Sequence, residues 1–189
     1  MLVLIGPSAS GKTESAKIMI NRYPISRVVT CTTRKKRVNE IDGFDYHFLT
    51  KTRFNELKRQ GYFLETAIYN NNFYGTPKNE LAEDKFIILE PQGLKSFLEK
   101  SGCKVVAIFL KTKESQRIKR MRNRQDNLED IKKRIISDRE NFNLKKIEGL
   151  DLIIDTNEIN LSDLADLIYE SYQNILYKKK LLGEQLSLF

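Results

Sequence analysis

Eight residues near the start of the chain, Gly6-Pro7-Ser8-Ala9-Ser10-Gly11-Lys12-Thr13, fit the pattern G-x-x-x-x-G-K-[ST]. Their surroundings constrain the fold as much as the residues do. An apolar run at 2–5 precedes them, and 13–20, which brings Ala16, Ile18, Met19 and Ile20 near one another, has helical spacing. Strand, Gly-rich turn and helix are therefore predicted in succession. Gly6 and Gly11 let the intervening backbone of Ser8, Ala9 and Ser10 curl until its amides converge, and the helix N-terminus adds positive potential at that point. Such a point suits a phosphate. Lys12 is then placed to reach the β- and γ-phosphates of a nucleoside triphosphate, and the Thr13 hydroxyl to ligate Mg²⁺. An ordinary Gly-rich strand-to-helix turn is the alternative, and the complete strand–motif–helix context argues against it.

Four more runs, at 27–31, 86–89, 105–110 and 152–154, are continuously apolar rather than alternating. Strands buried on both faces of a parallel sheet read this way. Helical spacing lies between them. Thr50 can cap a helix over 51–60 that turns Phe54 and Leu57 inward and stops at Gly61. Near the C-terminus, Leu164, Ala165, Ile168, Tyr172, Ile175 and Leu176 form an amphipathic stripe. The alternation predicts a three-layer α/β domain around a central parallel five-stranded sheet. Two stretches interrupt it. Residues 34–77 carry turn signals at Asp42-Gly43, Asn70-Asn71-Asn72 and Tyr74-Gly75, and 117–134 hold a dense basic run followed by a helix with Ile131 and Ile135. Both read as inserts on the sheet.

Composition closes off other classes. A chain of 189 residues with 40% apolar content is one domain, long enough to bury roughly 70% of its unfolded surface without a disulfide or metal staple. No apolar run approaches the roughly 18 residues of a membrane span, and residues 1–5 are too short and too uncharged for a signal peptide. Two cysteines, Cys31 and Cys103, fit a reduced compartment, so a cytoplasmic location is expected. The net charge of +8 is compatible with nucleic acid, anionic lipid or phosphorylated small molecules until its placement is known.

Several separated motifs narrow the reading: Thr30-Cys31-Thr32-Thr33-Arg34, Arg37, Glu40, Gly43, Asp45-Tyr46-His47-Phe48, Phe63-Leu64-Glu65-Thr66-Ala67, Tyr74-Gly75-Thr76 and Gln92-Gly93. In this order they resemble the guanylate kinase family of ATP:GMP phosphotransferases, over about residues 2–157. The resemblance implies a phosphate-loop kinase fold. Its core would be 1–33, 78–112 and 136–177, with a GMP-binding insert at 34–77, a lid at 113–135 and a tail at 178–189.

It also implies roles. Arg34 and Arg37, with the hydroxyls of Tyr46 and Tyr74, would clamp the monophosphate dianion, a task suited to Arg forks. Glu65 would accept the two N–H donors on one edge of guanine, which adenine lacks, with Thr76 as a second base-reading group. Thr30, where the family has serine, and Glu90 complete the implied GMP site. Arg120, Arg124 and Arg134 would bind the ATP phosphates from the lid and act in catalysis with Lys12 and Arg34. Thr156 would join the ATP site with Gly6, Ser8, Ala9, Ser10, Gly11, Lys12 and Thr13. A GMP phosphate oxygen is already ionised, so no general base is needed, and the single histidine, His47, reads as structural. ATP as donor, Mg²⁺ as cofactor and GMP as acceptor follow, with no membrane or direct nucleic-acid partner.

The pattern is departed from in four places. Ile88 replaces the first of two acids before Gln-Gly, leaving Glu90. The stretch 76–86 is short, the lid is about one residue short, and Asp155-Thr156-Asn157 replaces an Asn-Asp pair. Two other classes remain open: a non-catalytic guanylate-kinase-like module, opposed by intact Lys12, Thr13 and lid arginines, and a kinase of a base-free substrate such as a ribose bisphosphate, opposed by Glu65, Tyr74 and Thr76.

The final residues, Gln185-Leu186-Ser187-Leu188-Phe189, resemble the bacterial sliding-clamp-binding pentapeptide, in which Leu188 and Phe189 would enter an apolar pocket. A tail folded on its own domain, or an oligomer contact, is the alternative. The cations thus fall in three clusters: 34–37, 117–134 and 178–180. Only the last, beside the pentapeptide, leaves a DNA-associated role open.

Overall fold

The structure is a computed structural model that describes residues 1–36, 40–69, 71–101 and 104–186. Arg37 lies outside the described residues, and so does the end of the tail pentapeptide, Ser187, Leu188 and Phe189.

In chain order the elements are β1 (Leu2–Ile5), α1 (Lys12–Arg22), β2 (Ser26–Arg27), β3 (Cys31–Thr32), β4 (His47–Phe48), α2 (Lys51–Arg59), β5 (Phe63–Tyr69) and β6 (Asn72–Pro77). They continue as β7 (Lys85–Ile88), α3 (Pro91–Lys100), β8 (Val106–Lys111), α4 (Glu114–Asn123), α5 (Leu128–Asn141), β9 (Leu152–Asp155) and α6 (Leu161–Leu186). The central sheet has the order β2-β7-β1-β8-β9 with every pairing parallel.

Continuous apolar runs have a direct explanation in the two cores. Leu2 and Leu4 of β1, with Val106, Ile108 and Leu110 of β8, face Ala16 and Met19 of α1 and Leu164, Ala165, Ile168 and Tyr172 of α6. The alternate residues Val3, Ile5, Ala107 and Phe109 face Leu94 and Phe97 of α3. Each strand is buried on both sides, so no alternation survives in the sequence.

One expected strand divides. The run 27–31 contributes Ser26–Arg27 to the central sheet and Cys31–Thr32 to a separate four-stranded sheet of order β4-β3-β6-β5. After the Val28 amide bonds the Phe86 carbonyl at 2.8 Å, the chain leaves the edge of one sheet and enters the other. The apolar pair Val28-Val29 lies between the two strands and bridges them in the sequence, so hydropathy did not mark the division. The second sheet packs on α2, where Phe54 stacks on Phe63 with ring centroids 4.5 Å apart. The Thr50 side chain accepts from the Arg53 amide, as expected of the cap.

The short stretch after Thr76 folds as a single 3₁₀ turn, Lys78–Glu80, in place of a full helix. Within the basic segment, Met121 of α4 packs on Ile131 and Ile135 of α5, and α5 runs on to Asn141, beyond the 135 expected as the lid's end. At the far end of α6, Lys179 donates to the Val105 carbonyl at 2.7 Å and to Asp151, and Lys180 pairs with Glu83. Two of the three lysines at 178–180 therefore fasten α6 to the core. Among the described residues, no helix is long and apolar enough to cross a membrane.

Candidate active site

The loop after β1 folds as the motif requires. Gly6 and Gly11 both have positive φ, at 151° and 106°, and a Cβ on Gly6 would stand 2.6 Å from the Leu110 carbonyl oxygen, so a side chain is excluded there. Ala9 is also left-handed, at φ 60°. Lys12 opens α1 and folds back across the loop, with Nζ donating to the carbonyls of Gly6 at 2.5 Å and Pro7 at 2.9 Å. Burial pulls its pKa down to about 8, while the carboxylates of Glu90 and Asp138 act in the opposite direction. Glu90 stands at the N-cap of α3, and burial pushes its carboxyl above the ordinary value. Thr13 is exposed in the first turn of α1, next to Lys12.

The insert gathers the aromatic and basic groups expected at a monophosphate. The Arg34 guanidinium pairs with Glu40 at 2.6 Å and lies 5.4 Å from the Tyr46 ring centroid, with Tyr46 edge-on to Tyr74 at 6.2 Å. That ion pair, chiefly its hydrogen bond, holds Arg34 firmly charged. Glu65 and Thr76 face each other on β5 and β6. Thr30 is half-buried and its carbonyl accepts from the backbone amide of His47, a residue of the β3–β4 ladder.

The three arginines expected in a lid, on α4, at its C-cap and on α5, separate into two groups. Arg120 reaches inward, donating from Nη1 to the Ala9 carbonyl at 3.1 Å and from Nη2 to the Thr156 carbonyl at 2.9 Å. Arg124 and Arg134 stay outside, sharing Asp126 at 2.9 and 3.2 Å. Thr156 is fully buried. Its hydroxyl meets that of Thr112 at 2.6 Å and donates to the Ser10 carbonyl at 3.3 Å, so it braces the loop from behind.

Two residues around this loop went unnoticed in the sequence. Asp138 accepts from the Ser8 amide at 3.0 Å and the Ser8 hydroxyl at 3.2 Å, and Arg117 pairs with Asp138 at 2.5 Å. The available signal was helical spacing: 131, 135 and 138 share one face of α5, and 117 and 121 share one face of α4, so both charges sit where apolar residues belong.

Mg²⁺ suits the donors present. It takes hard oxygen ligands, usually one or two from protein with phosphates and water completing the shell, and the site offers the Thr13 hydroxyl and the Glu90 carboxyl. Among the described residues there is no cluster of three or more His, Cys, Asp or Glu that could hold a metal ion.

A parallel β-α-β core opening on a phosphate loop, with a second small sheet and a basic helical pair beside it, defines a phosphate-loop protein of the nucleotide-kinase class. The sequence model of the guanylate kinase family matches residues 1–171, and the chain belongs to that family. It is 30% identical over 184 residues to the guanylate kinase of Mycoplasma genitalium, covering 91% of this chain and 76% of that protein. Identity is 30% over 190 residues with the guanylate kinase of Wolbachia pipientis, 96% of this chain and 90% of that one. With the Rickettsia felis guanylate kinase it is 38% over 148 residues, 72% and 76% of the two chains. A crystal structure of guanylate kinase from Anaplasma phagocytophilum superposes with TM-score 0.65 at 24% identity, covering 93% of this chain and 85% of that one, and shares the fold.

Proposed function

We propose that this chain transfers the γ-phosphoryl group of ATP to GMP or dGMP, giving ADP and the corresponding diphosphate, with Mg²⁺. The observation that carries the reading is the coexistence of an intact Lys12 phosphate loop with a carboxylate–hydroxyl pair, Glu65 and Thr76, bonded at 3.0 Å. A phosphate loop serves many reactions, but a carboxylate oriented by a neighbouring hydroxyl suits an acceptor with two adjacent N–H donors.

In this reading Arg34, Arg37, Tyr46 and Tyr74 hold the acceptor phosphate, with Thr30 beside them. The ionised phosphate oxygen attacks the γ-phosphorus, the bond to the β–γ bridging oxygen breaks, and that oxygen keeps the electron pair as ADP leaves. Lys12 and Arg120, with Arg124 and Arg134 brought in from the lid, offset the charge that spreads in the transition state. The phosphate loop, Gly6 to Thr13, receives the triphosphate, braced by Thr156. Thr13 and Glu90 would hold Mg²⁺ or its waters, and a bound ion would supply further charge neutralisation there. Residues 34–77 and 113–135 serve as the acceptor-binding and lid parts around the core. A free, buried thiol at Cys31 accords with a reducing, cytoplasmic setting.

Phosphoryl transfer from ATP to GMP, dGMP, AMP, CMP and UMP tests the reading. Transfer to GMP and dGMP in strong preference is expected. Equal rates on AMP and GMP, or no effect of Glu65→Ala, would remove the guanine assignment. ATP binding without transfer to any acceptor would favour a non-catalytic module, and transfer only to a base-free acceptor a related small-molecule kinase.

The C-terminal end carries a separate proposal: residues 178–186, expected as a tail, are the last turns of α6, but 185–189, which begins there at Gln185 and Leu186, has the residues of a clamp-binding peptide. Binding of the intact chain to a bacterial sliding clamp, lost on deleting 185–189, is the expected result; no binding by the intact chain would end it.

A further inference from the structure

Asp138 and Arg117 are the two buried charges of the lid helices, each with a side chain 6% exposed. They meet at Ser8. The Ser8 amide and hydroxyl donate to the two carboxylate oxygens of Asp138, and the Ser8 carbonyl accepts from Nη1 of Arg117 at 3.4 Å. Both backbone groups of one loop residue are thus held from two different helices. The next residues are held as well, Ala9 by Arg120 and Ser10 by Thr156.

Stability alone is a poor reason for this arrangement. Desolvating two charges offsets most of their attraction, and an apolar pair of similar volume is commonly as stable or more so. Here the cost is raised further, because Nε of Arg117 is buried with no hydrogen-bond partner among the described residues. The loop, by contrast, has a need that the pair meets. Ala9 is a non-glycine residue at φ 60°, a conformation that persists where surrounding contacts over-determine it. Ser8 immediately precedes it, and fixing the Ser8 amide and carbonyl sets the peptide planes on either side of Ser8, the second of which carries the Ala9 amide.

We propose that Asp138 and Arg117 are positioning residues for the triphosphate site. They lock Ser8 so that the amides after it stay in their phosphate-receiving arrangement, and they tie the shape of the loop to both lid helices. Neither side chain touches a substrate in this scheme; each acts through Ser8. The inference rests on the reading of Gly6–Thr13 as a triphosphate site and is independent of which acceptor the enzyme uses.

Its test therefore begins with ATP binding in the absence of any acceptor, by titration calorimetry, on Asp138→Ala, Asp138→Asn, Arg117→Leu and the double variant Arg117→Leu/Asp138→Ala. Thermal unfolding and the KM for GMP are measured alongside. Asp138→Ala is expected to weaken ATP binding about tenfold, the scale of a misplaced contact at a preorganised site, with the KM for GMP unchanged. Asp138→Asn, which keeps an acceptor for Ser8, should fall between it and the parent. The double variant buries no lone charge, so it should regain thermal stability while keeping the tenfold loss of ATP affinity. If Asp138→Ala does not fold, the double variant carries the test by itself. Parental ATP binding in the double variant, or equal losses for ATP and GMP, would show a general structural role and overturn the proposal. A parent that binds no ATP at all would instead remove the triphosphate reading beneath it.

Discussion

Thr76 donates its hydroxyl to Oε1 of Glu65 at 3.0 Å from the position directly opposite on the β5–β6 ladder. Cross-strand register thus aims the carboxylate, since one hydroxyl bond leaves the second oxygen and spare lone pairs of the first for a ligand. Hydrogen bonds to charged groups contribute about 1.5–3 kcal/mol, so Glu65→Ala should lower kcat/KM for GMP by about a hundredfold and change AMP little. Thr76→Val keeps the charge but frees its orientation, and a loss of about tenfold, mostly in KM, is expected. Steady-state kinetics with both acceptors decides. A Thr76→Val variant with the parental KM for GMP would mean that the hydroxyl does not orient the carboxylate.

Arg120 spans two carbonyls with one guanidinium, Ala9 in the phosphate loop and Thr156 after β9. A lysine has a single ammonium and cannot reproduce that planar fork. Arg120→Lys should therefore retain the fold but lower kcat by about a hundredfold, the usual effect of losing one preorganised electrostatic donor. The KM for GMP, whose proposed site lies in the other insert, should stay within about twofold of the parent. Circular dichroism and initial rates on the same preparation separate the effects; parental kcat in Arg120→Lys would count against any role beyond charge.

Much of this site was visible in the sequence because its chemistry needs particular residues in contiguous order. Gly6 through Thr13 is such a case: a loop only eight residues long must contain its glycines, lysine and threonine at set places. The inner strands β1, β7 and β8 were visible for a different reason, burial on both faces, which turns each into an unbroken apolar run. Where two surfaces compete for similar residues the signal fades. Hydropathy over 27–31 cannot say that Arg27 pairs with Phe86 while Cys31 pairs with Gly75 in another sheet. Arg117 and Asp138 were hidden more deeply, because on α4 and α5 a charge at an inward position resembles a gap in the stripe until its partner, 21 residues away, is known. Arg124 and Arg134 share one expectation with Arg120, but only the fold shows that Asp126 holds them apart from the loop.

Asp166 supplies a pH prediction. It accepts from Tyr23 at 2.6 Å and Arg22 at 2.5 Å, joining α1 to α6 beside the stacked rings of Tyr23 and Tyr169. The Tyr23 hydrogen bond, and then that of Arg22, hold its pKa below the ordinary 3.8. A carboxyl depressed in the folded state stabilises above its unfolded value, and that contribution is lost as pH falls through the folded value. Tyr23 is raised above 10.0, chiefly by the same bond, so its contribution is present below that pH and lost as pH rises through the folded value. Melting temperatures of the parent and Asp166→Asn should differ near neutral pH and converge as pH falls below the ordinary aspartate value. Curves that stay parallel throughout would assign the difference to packing.

Asp126 lies in the turn between the lid helices and accepts from both Arg124 and Arg134, whose side chains are about half exposed. It therefore occupies the two cations that the proposed reaction brings to the ATP phosphates, and nucleotide must displace it. Exposed ion pairs are worth about 0–1 kcal/mol each, so the competition is modest. Asp126→Asn should lower the KM for ATP by about two- to fivefold, leave the KM for GMP unchanged, and shift the melting temperature little. Because the contest is between anions for surface cations, the gain should shrink as salt is raised. A higher KM for ATP in Asp126→Asn would show the opposite relationship, with the carboxylate ordering the two arginines for their task rather than holding them from it.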